Sequence, residues 1–405
     1  MDHFEKLLAE ATAKGANGVS GVVVAVVDKE GNYVYKKTAG NKSLAEDAPP
    51  MDFDSTYAIA SCTKLITSIA ALQCVERGQI TLDEPLDKLL PELAELPIIE
   101  AKANSAGTPP YTLKPAKKSI TLRHLLTHTS GTSYEIMNPS LIAWRADRGE
   151  EPKMMIGKVV EGFSTPRTFE AGESWSYGTA LDWAGLLVGR LNNSTFGEYV
   201  EQHIFGPLSM NSTTFHLEQK PHVRERLMAM STRGSDGKLL PGPVRILADP
   251  APEEIGGAGL YSSVPDYTRV LADLLKESPV VLKKETVDMM FTPQLAEGSG
   301  AHSALTEKER EIYSLMVGGM SSRGVKLNFG LGSLVVLDDI ETPNYYKPKG
   351  TLTWSGLPNL VWAVNREKGL ALFYATQIVP WGDEKSHTLT HAFETAAWKN
   401  LSKLA

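Results

Sequence analysis

The chain has 405 residues, 42% hydrophobic and 22% charged, so it carries enough apolar material for a large core and reads as neither disordered nor fibrous. A formal net charge of -7 without any long basic block gives no general attraction to nucleic acid or to an anionic membrane, and neither is expected as a partner. No apolar run approaches a membrane span, and Met1 to Gly15 reads as a polar-faced helix rather than a charged-then-apolar leader, so a cytoplasmic location is the expectation.

After that first helix, Val19 to Val27 is a β-branched run, Asp28 to Asn32 carries turn residues and Tyr33 to Lys37 alternates, the pattern of a β-hairpin. Next comes Ala58-Ile59-Ala60-Ser61-Cys62-Thr63-Lys64, followed by a helical run to Arg77 with Gly78 as its stop. Ser61 and Lys64 stand three apart, so one helical turn puts both on one face. A serine in front of an apolar helix is ordinarily an N-cap. A lysine in the first turn, however, opposes the helix dipole, so something else must hold it there. The chemical alternative is a nucleophile and its base, because a serine hydroxyl attacks at neutral pH only with a proton acceptor in reach. Cys62 and Cys74, twelve apart on one helix, are about 18 Å from each other and beyond disulfide reach; both read as small core residues.

From Ile80 to Leu96 the pattern gives short helical pieces broken by Pro85 and Pro91, and Asn104 to Ser119, with Lys114, Lys117 and Lys118, reads as a long surface loop. Ile120 to Gly131 is a short capped helix. His124 and His128 stand four apart, but no H-E-x-x-H pattern or third acidic ligand accompanies them, so hydrogen-bonded structural histidines are expected, as for His387 and His391, and no metal. Thr179 and Asp182 form an acceptable capping pair for the helix after Ser174-Trp175-Ser176-Tyr177-Gly178, whereas Tyr177 lacks such an explanation and could face a cleft. Helices are expected over Phe196–Ile204 and Tyr267–Lys276. The glycine-rich turn Ile255 to Leu260 does not fit a dinucleotide loop. Strands return at Leu327–Leu337, Leu352–Ser355, Leu360–Val364 and Leu370–Thr376, and a helix from about Glu384 to Leu401 closes the chain.

Ser61-x-x-Lys64, Tyr177 and Trp354-Ser355-Gly356 together resemble the three motifs, S-x-x-K, Y-x-N and K-T-G, of the serine β-lactamase and penicillin-binding-protein superfamily. Within it, T-L-R-H-L-L-T-H-T-S-G, L-D-W-A-G, the strand Pro358 to Trp362 and the turn Gln377 to Trp381 are similar to class C-like esterases and, over nearly the whole length, to fungal polyketide transesterases of the lovastatin-pathway type.

The resemblance implies an α/β (α+β) fold of class C β-lactamase type, with an antiparallel sheet flanked by helices. Residues 1–78 and 310–405 would form a discontinuous sheet domain, 79–309 a mostly helical lobe, and the site would lie between them. It implies Ser61 as nucleophile, Lys64 as its base partner, Tyr177 as proton relay, the backbone NH groups of Ser61 and Leu357 as oxyanion hole, and Trp354, Ser355 and Gly356 as substrate-binding residues. The implied reaction moves an acyl group from a thioester (of a carrier protein, coenzyme A or a small thiol) to an alcohol acceptor, with no cofactor; a carboxylesterase using water is the alternative. The departures argue against antibiotic hydrolysis. Y-G-T lacks the amide of Y-x-N, W-S-G replaces the cation that pairs with a β-lactam carboxylate, and no E-x-x-L-N stretch supplies a deacylating glutamate.

Overall fold

The computed structural model describes residues 1–102, 110–154, 156–319 and 324–402. The valine-rich run becomes strand β1 (Gly21–Asp28), joined through a turn in which Asp28 Oδ1 accepts from Asn32 N (2.8 Å) to the antiparallel strand β2 (Tyr33–Gly40). Successive side chains of a strand leave on opposite faces. Val23, Ala25 and Val27 therefore enter the main core, while Val22, Val24 and Val26 enter a second one with Phe4 and Leu8. A strand buried on both faces needs no alternation, and β-branched residues suit its pleat. β2 is more exposed and carries Lys36 and Lys37, which suits an edge strand.

Five strands from the C-terminal third complete the large sheet: β3 (Leu327–Phe329), β4 (Leu334–Val336), β5 (Thr351–Gly356), β6 (Leu360–Asn365) and β7 (Leu370–Ala375). The order is β2-β1-β7-β6-β5-β4-β3, antiparallel throughout, with Val24 opposite Tyr374 and Trp354 opposite Trp362. Helices α1 (Asp2–Thr12) and α5 (Glu384–Asn400) cover one face through the second core. On the other face lie α2 (Thr63–Glu76), α3 (Ala180–Asn192) and α4 (Val264–Asp273). α2 is buried from Thr63 to Cys74, hydrophobic almost all round as a central helix must be. α4 stacks Tyr267 on Phe373 of β7 at 4.6 Å, fixing helix to sheet beneath the start of α2. This is the mixed architecture expected: an antiparallel sheet flanked by helices.

Local differences have local causes. The run Leu327 to Leu337 is two strands, because Gly330 to Ser333 turn the chain back, with Gly332 at φ +99°. Within Asn104 to Ser119, residues 103–109 lie outside the described residues, and Tyr111–Lys114 is no loop but a strand paired with Ile98–Ala101. The helix expected over Phe196–Ile204 is α-helical to Val200 and π-helical over Glu201–Phe205. α4 begins three residues early, where the Ser263 hydroxyl caps Asp266 N at 3.3 Å. Among the described residues no helix is long and apolar enough to cross a membrane.

Next to α5, the Lys347 ammonium, 0% exposed, faces Glu394 Oε1 at 3.1 Å, and Glu394 Oε2 accepts from Tyr345 Oη at 2.6 Å. Burial pushes the Lys347 pKa down and the carboxylate opposes that. Removing one partner of a buried pair leaves the other charge uncompensated. Glu394→Gln is accordingly expected to lower stability by roughly 3 kcal/mol or more. Urea unfolding measures this, and a loss within error of zero would mean the pair is not a structural lock.

Candidate active site

The candidate nucleophile is presented by backbone locks. Strand Thr56–Ala58 pairs with Tyr261–Ser263, Ile59 N donates to Leu260 O (3.0 Å), and Leu260 N donates to Thr63 Oγ1 (3.1 Å). Tyr267 Oη donates to Cys62 O at 2.9 Å from below. Between these ties the chain makes a 3-10 turn over Ala60–Cys62, with Ala60 in the left-handed region at φ +43°. That conformation is costly for a residue with a Cβ and persists only where the surroundings impose it. Ser61 therefore sits just ahead of α2 and its hydroxyl does not cap it.

Lys64, one turn on and 1% exposed, donates to Gly257 O (2.7 Å), Tyr134 Oη (2.9 Å) and Ser61 Oγ (3.3 Å). Its three N–H donors are thus matched by three acceptors, which answers why a cation stands in the first turn of a helix. Tyr177 Oη donates to Ser61 Oγ at 2.7 Å and accepts from Trp354 Nε1 at 3.4 Å. Ser61, Lys64 and Tyr177 are thereby brought together from positions up to 116 residues apart.

The ring of Tyr177 is wedged by aromatic neighbours: His128 at 5.0 Å, Trp354 at 5.1 Å and Tyr134 at 5.5 Å between centroids. Trp354 itself is 3% exposed. Its indole packs against Tyr177 and Phe329 and supports the tyrosine. Gly356 ends β5 against the nucleophile turn, where any Cβ would strike the Ile59 carbonyl oxygen. Ser355 is 9% exposed and Leu357, the next residue after Gly356, 45%.

Burial and the nearby Lys64 cation push the His128 pKa well below its ordinary value, so the ring is neutral. It makes no hydrogen bond among the described residues, which corrects the expectation for it, as for His387; both rings instead pack against aromatics. His124 and His391 are hydrogen-bonded as expected, to Thr121 and to Leu315 O (2.6 Å). Burial, then Asp182 and Tyr177, raise the Tyr134 hydroxyl well above the usual range. Burial pushes the Cys62 thiol up, against a role as nucleophile. Among the described residues no three His, Cys, Asp or Glu side chains cluster to hold a metal.

Three participants were not singled out from sequence. Tyr134 follows the T-H-T-S-G stretch without any motif of its own. The glycine turn, read only as a failed dinucleotide loop, supplies the Gly257 carbonyl for Lys64. Asp182 was read as a capping partner of Thr179, but Thr179 makes no side-chain cap, and Asp182 Oδ1 instead accepts from Gly257 N at 2.8 Å.

The pattern of the β-lactamase family matches residues 4–397. An acyltransferase of Penicillium decumbens, calJ, is 36% identical over 100% of this chain and 99% of its own. Monacolin J acid methylbutanoyltransferase of Aspergillus terreus is 34% identical over 94% of this chain and 92% of its own, and lovastatin esterase of Penicillium rubens is 34% identical over 89% of each. The solved structure of simvastatin synthase (LovD) from Aspergillus terreus superimposes with a TM-score of 0.84 at 31% identity, covering 99% of this chain and 98% of that one. The chain belongs to the β-lactamase family. With named acyltransferases as full-length relatives in this family, it is an enzyme of the acyltransferase type.

Both cysteines are buried and neither is in a disulfide, and burial raises both thiols. Iodoacetamide is expected to leave the native protein unmodified and active, and to label Cys62 and Cys74 only after denaturation. Mass spectrometry reports the outcome, and rapid native labelling of Cys62 with loss of activity would make it a candidate nucleophile.

Proposed function

We propose that this enzyme takes an acyl group from a thioester onto Ser61 and passes it to an alcohol of a small natural product. The observation that carries the proposal is Ser61 Oγ standing 2.7 Å from Tyr177 Oη and 3.3 Å from Lys64 Nζ at once. In the reactive form the pair is one proton short, a Tyr177 phenolate beside the Lys64 ammonium; Ser61 Oγ attacks the thioester carbonyl carbon and gives its proton to Tyr177 Oη. The oxyanion is held by the amides of Ser61 and Leu357, aided by the positive end of α2. Collapse breaks the C–S bond, and the same proton leaves with the thiol. An alcohol then gives its proton to the pair and attacks the acyl carbonyl, and Ser61 Oγ leaves with that proton as a hydroxyl.

The acyl and acceptor classes follow by similarity from relatives named for methylbutanoyl transfer to monacolin J acid. The donor is a thioester of a carrier protein, coenzyme A or a small thiol. Water as acceptor is the second reading, favoured by a relative named lovastatin esterase. The two differ in how well the site excludes water and orients the alcohol. Trp354 in place of a lysine supports rejection of β-lactams, because a carboxylate there would be desolvated without an ion pair.

Ser61→Ala and Lys64→Ala are each expected to lower acyl transfer by about a thousandfold or more, and Tyr177→Phe to slow acylation severely without unfolding, since residues that act as one unit fail together. Intact-mass measurement of acyl-enzyme after exposure to a short-chain acyl thioester tests this; near-normal acylation in Lys64→Ala or Tyr177→Phe would remove that residue from the mechanism. Steady-state turnover of such a thioester should exceed that of a chromogenic cephalosporin and rise with added alcohol in ping-pong fashion. A product set indifferent to every alcohol would favour the esterase.

A further inference from the structure

Lys64 and Asp182 are both 1% exposed, yet the three acceptors of the ammonium (Ser61 Oγ, Tyr134 Oη and Gly257 O) are all neutral. A buried cation without a counter-charge is strongly disfavoured. Asp182 stands on the far side of Gly257: its Oδ1 accepts from Gly257 N (2.8 Å) while Gly257 O accepts from Lys64 (2.7 Å). A Cβ at Gly257 would collide with the Asp182 carboxylate, so the carboxylate lies directly against the glycine backbone. Asp182 Oδ2 is buried and has no hydrogen-bond partner among the described residues, so hydrogen bonding alone does not account for a carboxylate there.

We propose that Asp182 is a positioning residue for acyl transfer, supplying the buried negative charge that holds the Lys64 ammonium at Ser61 through the Gly257 backbone. The inference rests on the reading of Ser61 and Lys64 as the acylating pair and adds the charge that pair depends on. Of the ionisable groups nearby, the Lys64 cation favours the anion of the carboxylate, and Tyr134 feels its charge. His128 and Tyr177 flank Lys64 beyond them, and His128 is neutral. Burial raises the Asp182 pKa from 3.8 to about 6, against the opposing pull of Lys64 and the Gly257 N–H. A carboxylate whose folded pKa is raised costs stability once ionised, so its charge is not kept for stability.

The test compares wild type with Asp182→Asn, which keeps the size and the acceptor for Gly257 N while removing the charge. With p-nitrophenyl butyrate, kcat at neutral pH should fall roughly tenfold to a hundredfold with KM little changed, as for other partners standing one shell behind reacting groups. The melting temperature at neutral pH should change little, because the carboxylate is linked to Lys64 only through Gly257, unlike the direct Glu394–Lys347 pair. In wild type, kcat should decline as pH drops through about 6, where Asp182 takes up its proton, and this limb should be absent from the variant. A variant with wild-type kcat, or one that loses activity and stability together while retaining the acid limb, would overturn the proposal. Should the variant not fold, the wild-type profile decides: an acid limb near that pH without loss of folding supports it, and a flat one refutes it. Fluorophosphonate labelling of wild type separates the two levels, since failure to label Ser61 sinks the nucleophile reading itself. Labelling at Ser61 with an indifferent Asp182→Asn sinks only the role of Asp182.

Discussion

The constraint on which the site depends is the burial of one ammonium. Lys64 is 1% exposed near the start of a helix whose dipole opposes a cation, so each of its protons has to be met by an acceptor brought from elsewhere. Gly257 O comes from the turn before α4, Tyr134 Oη from the segment after helix Leu122–Leu126, and Ser61 Oγ from the preceding turn of the same chain. Satisfying Lys64 thus ties three separate segments to one point, and that point lies within hydrogen-bond reach of the proposed nucleophile.

Close approach of backbones is the second requirement, and glycine is what meets it. A side chain at Gly256 would strike the Leu181 carbonyl, at Gly257 the Asp182 carboxylate and at Gly356 the Ile59 carbonyl. All three are buried positions where φ is unexceptional, so their need is steric rather than conformational. Ala60 is the converse case, a residue with a Cβ held at φ +43° by hydrogen bonds at Ile59, Thr63 and Cys62. Strain immediately before Ser61 is tolerated because the paired strands beneath it and the Tyr267 hydroxyl leave the turn no alternative.

Elements with one strong local signal were legible in the sequence. β1, β6 and β7 announce themselves as short β-branched or apolar runs bounded by turns, and α2 by its apolar span and Gly78. Ser61, Lys64 and Tyr177 could be singled out because the first two share a helical turn and the third had no structural explanation. What stayed hidden depends on partners distant in sequence. Tyr134 meets Lys64 across 70 residues and Asp182 meets Gly257 across 75, and neither spacing leaves any periodic trace. Asp182 was also masked by a plausible local role, because an acidic residue three positions after a threonine is what a cap looks like. The pairing of Tyr111–Lys114 with Ile98–Ala101 was missed for a related reason: lysine- and proline-rich flanks argue for a loop, and a two-stranded ladder outweighed them.

The departure at Trp354 takes on a different physical meaning once the indole is located. A lysine at that position would add a second cation beside Lys64, in a region where His128 is already held neutral by burial and by the first. The indole brings one N–H donor, 3.4 Å from Tyr177 Oη, and no charge. Its ring also joins Phe329 and Tyr177 in a single aromatic cluster, so it holds the tyrosine by packing as well as by its hydrogen bond. Tyr177 can then keep its 2.7 Å contact with Ser61 in surroundings whose charges include Lys64 and Asp182 but none from the indole. The indole carries no positive charge to neutralise a carboxylate on a substrate, which, on the mechanism proposed, favours acyl groups that are uncharged next to the bond being broken.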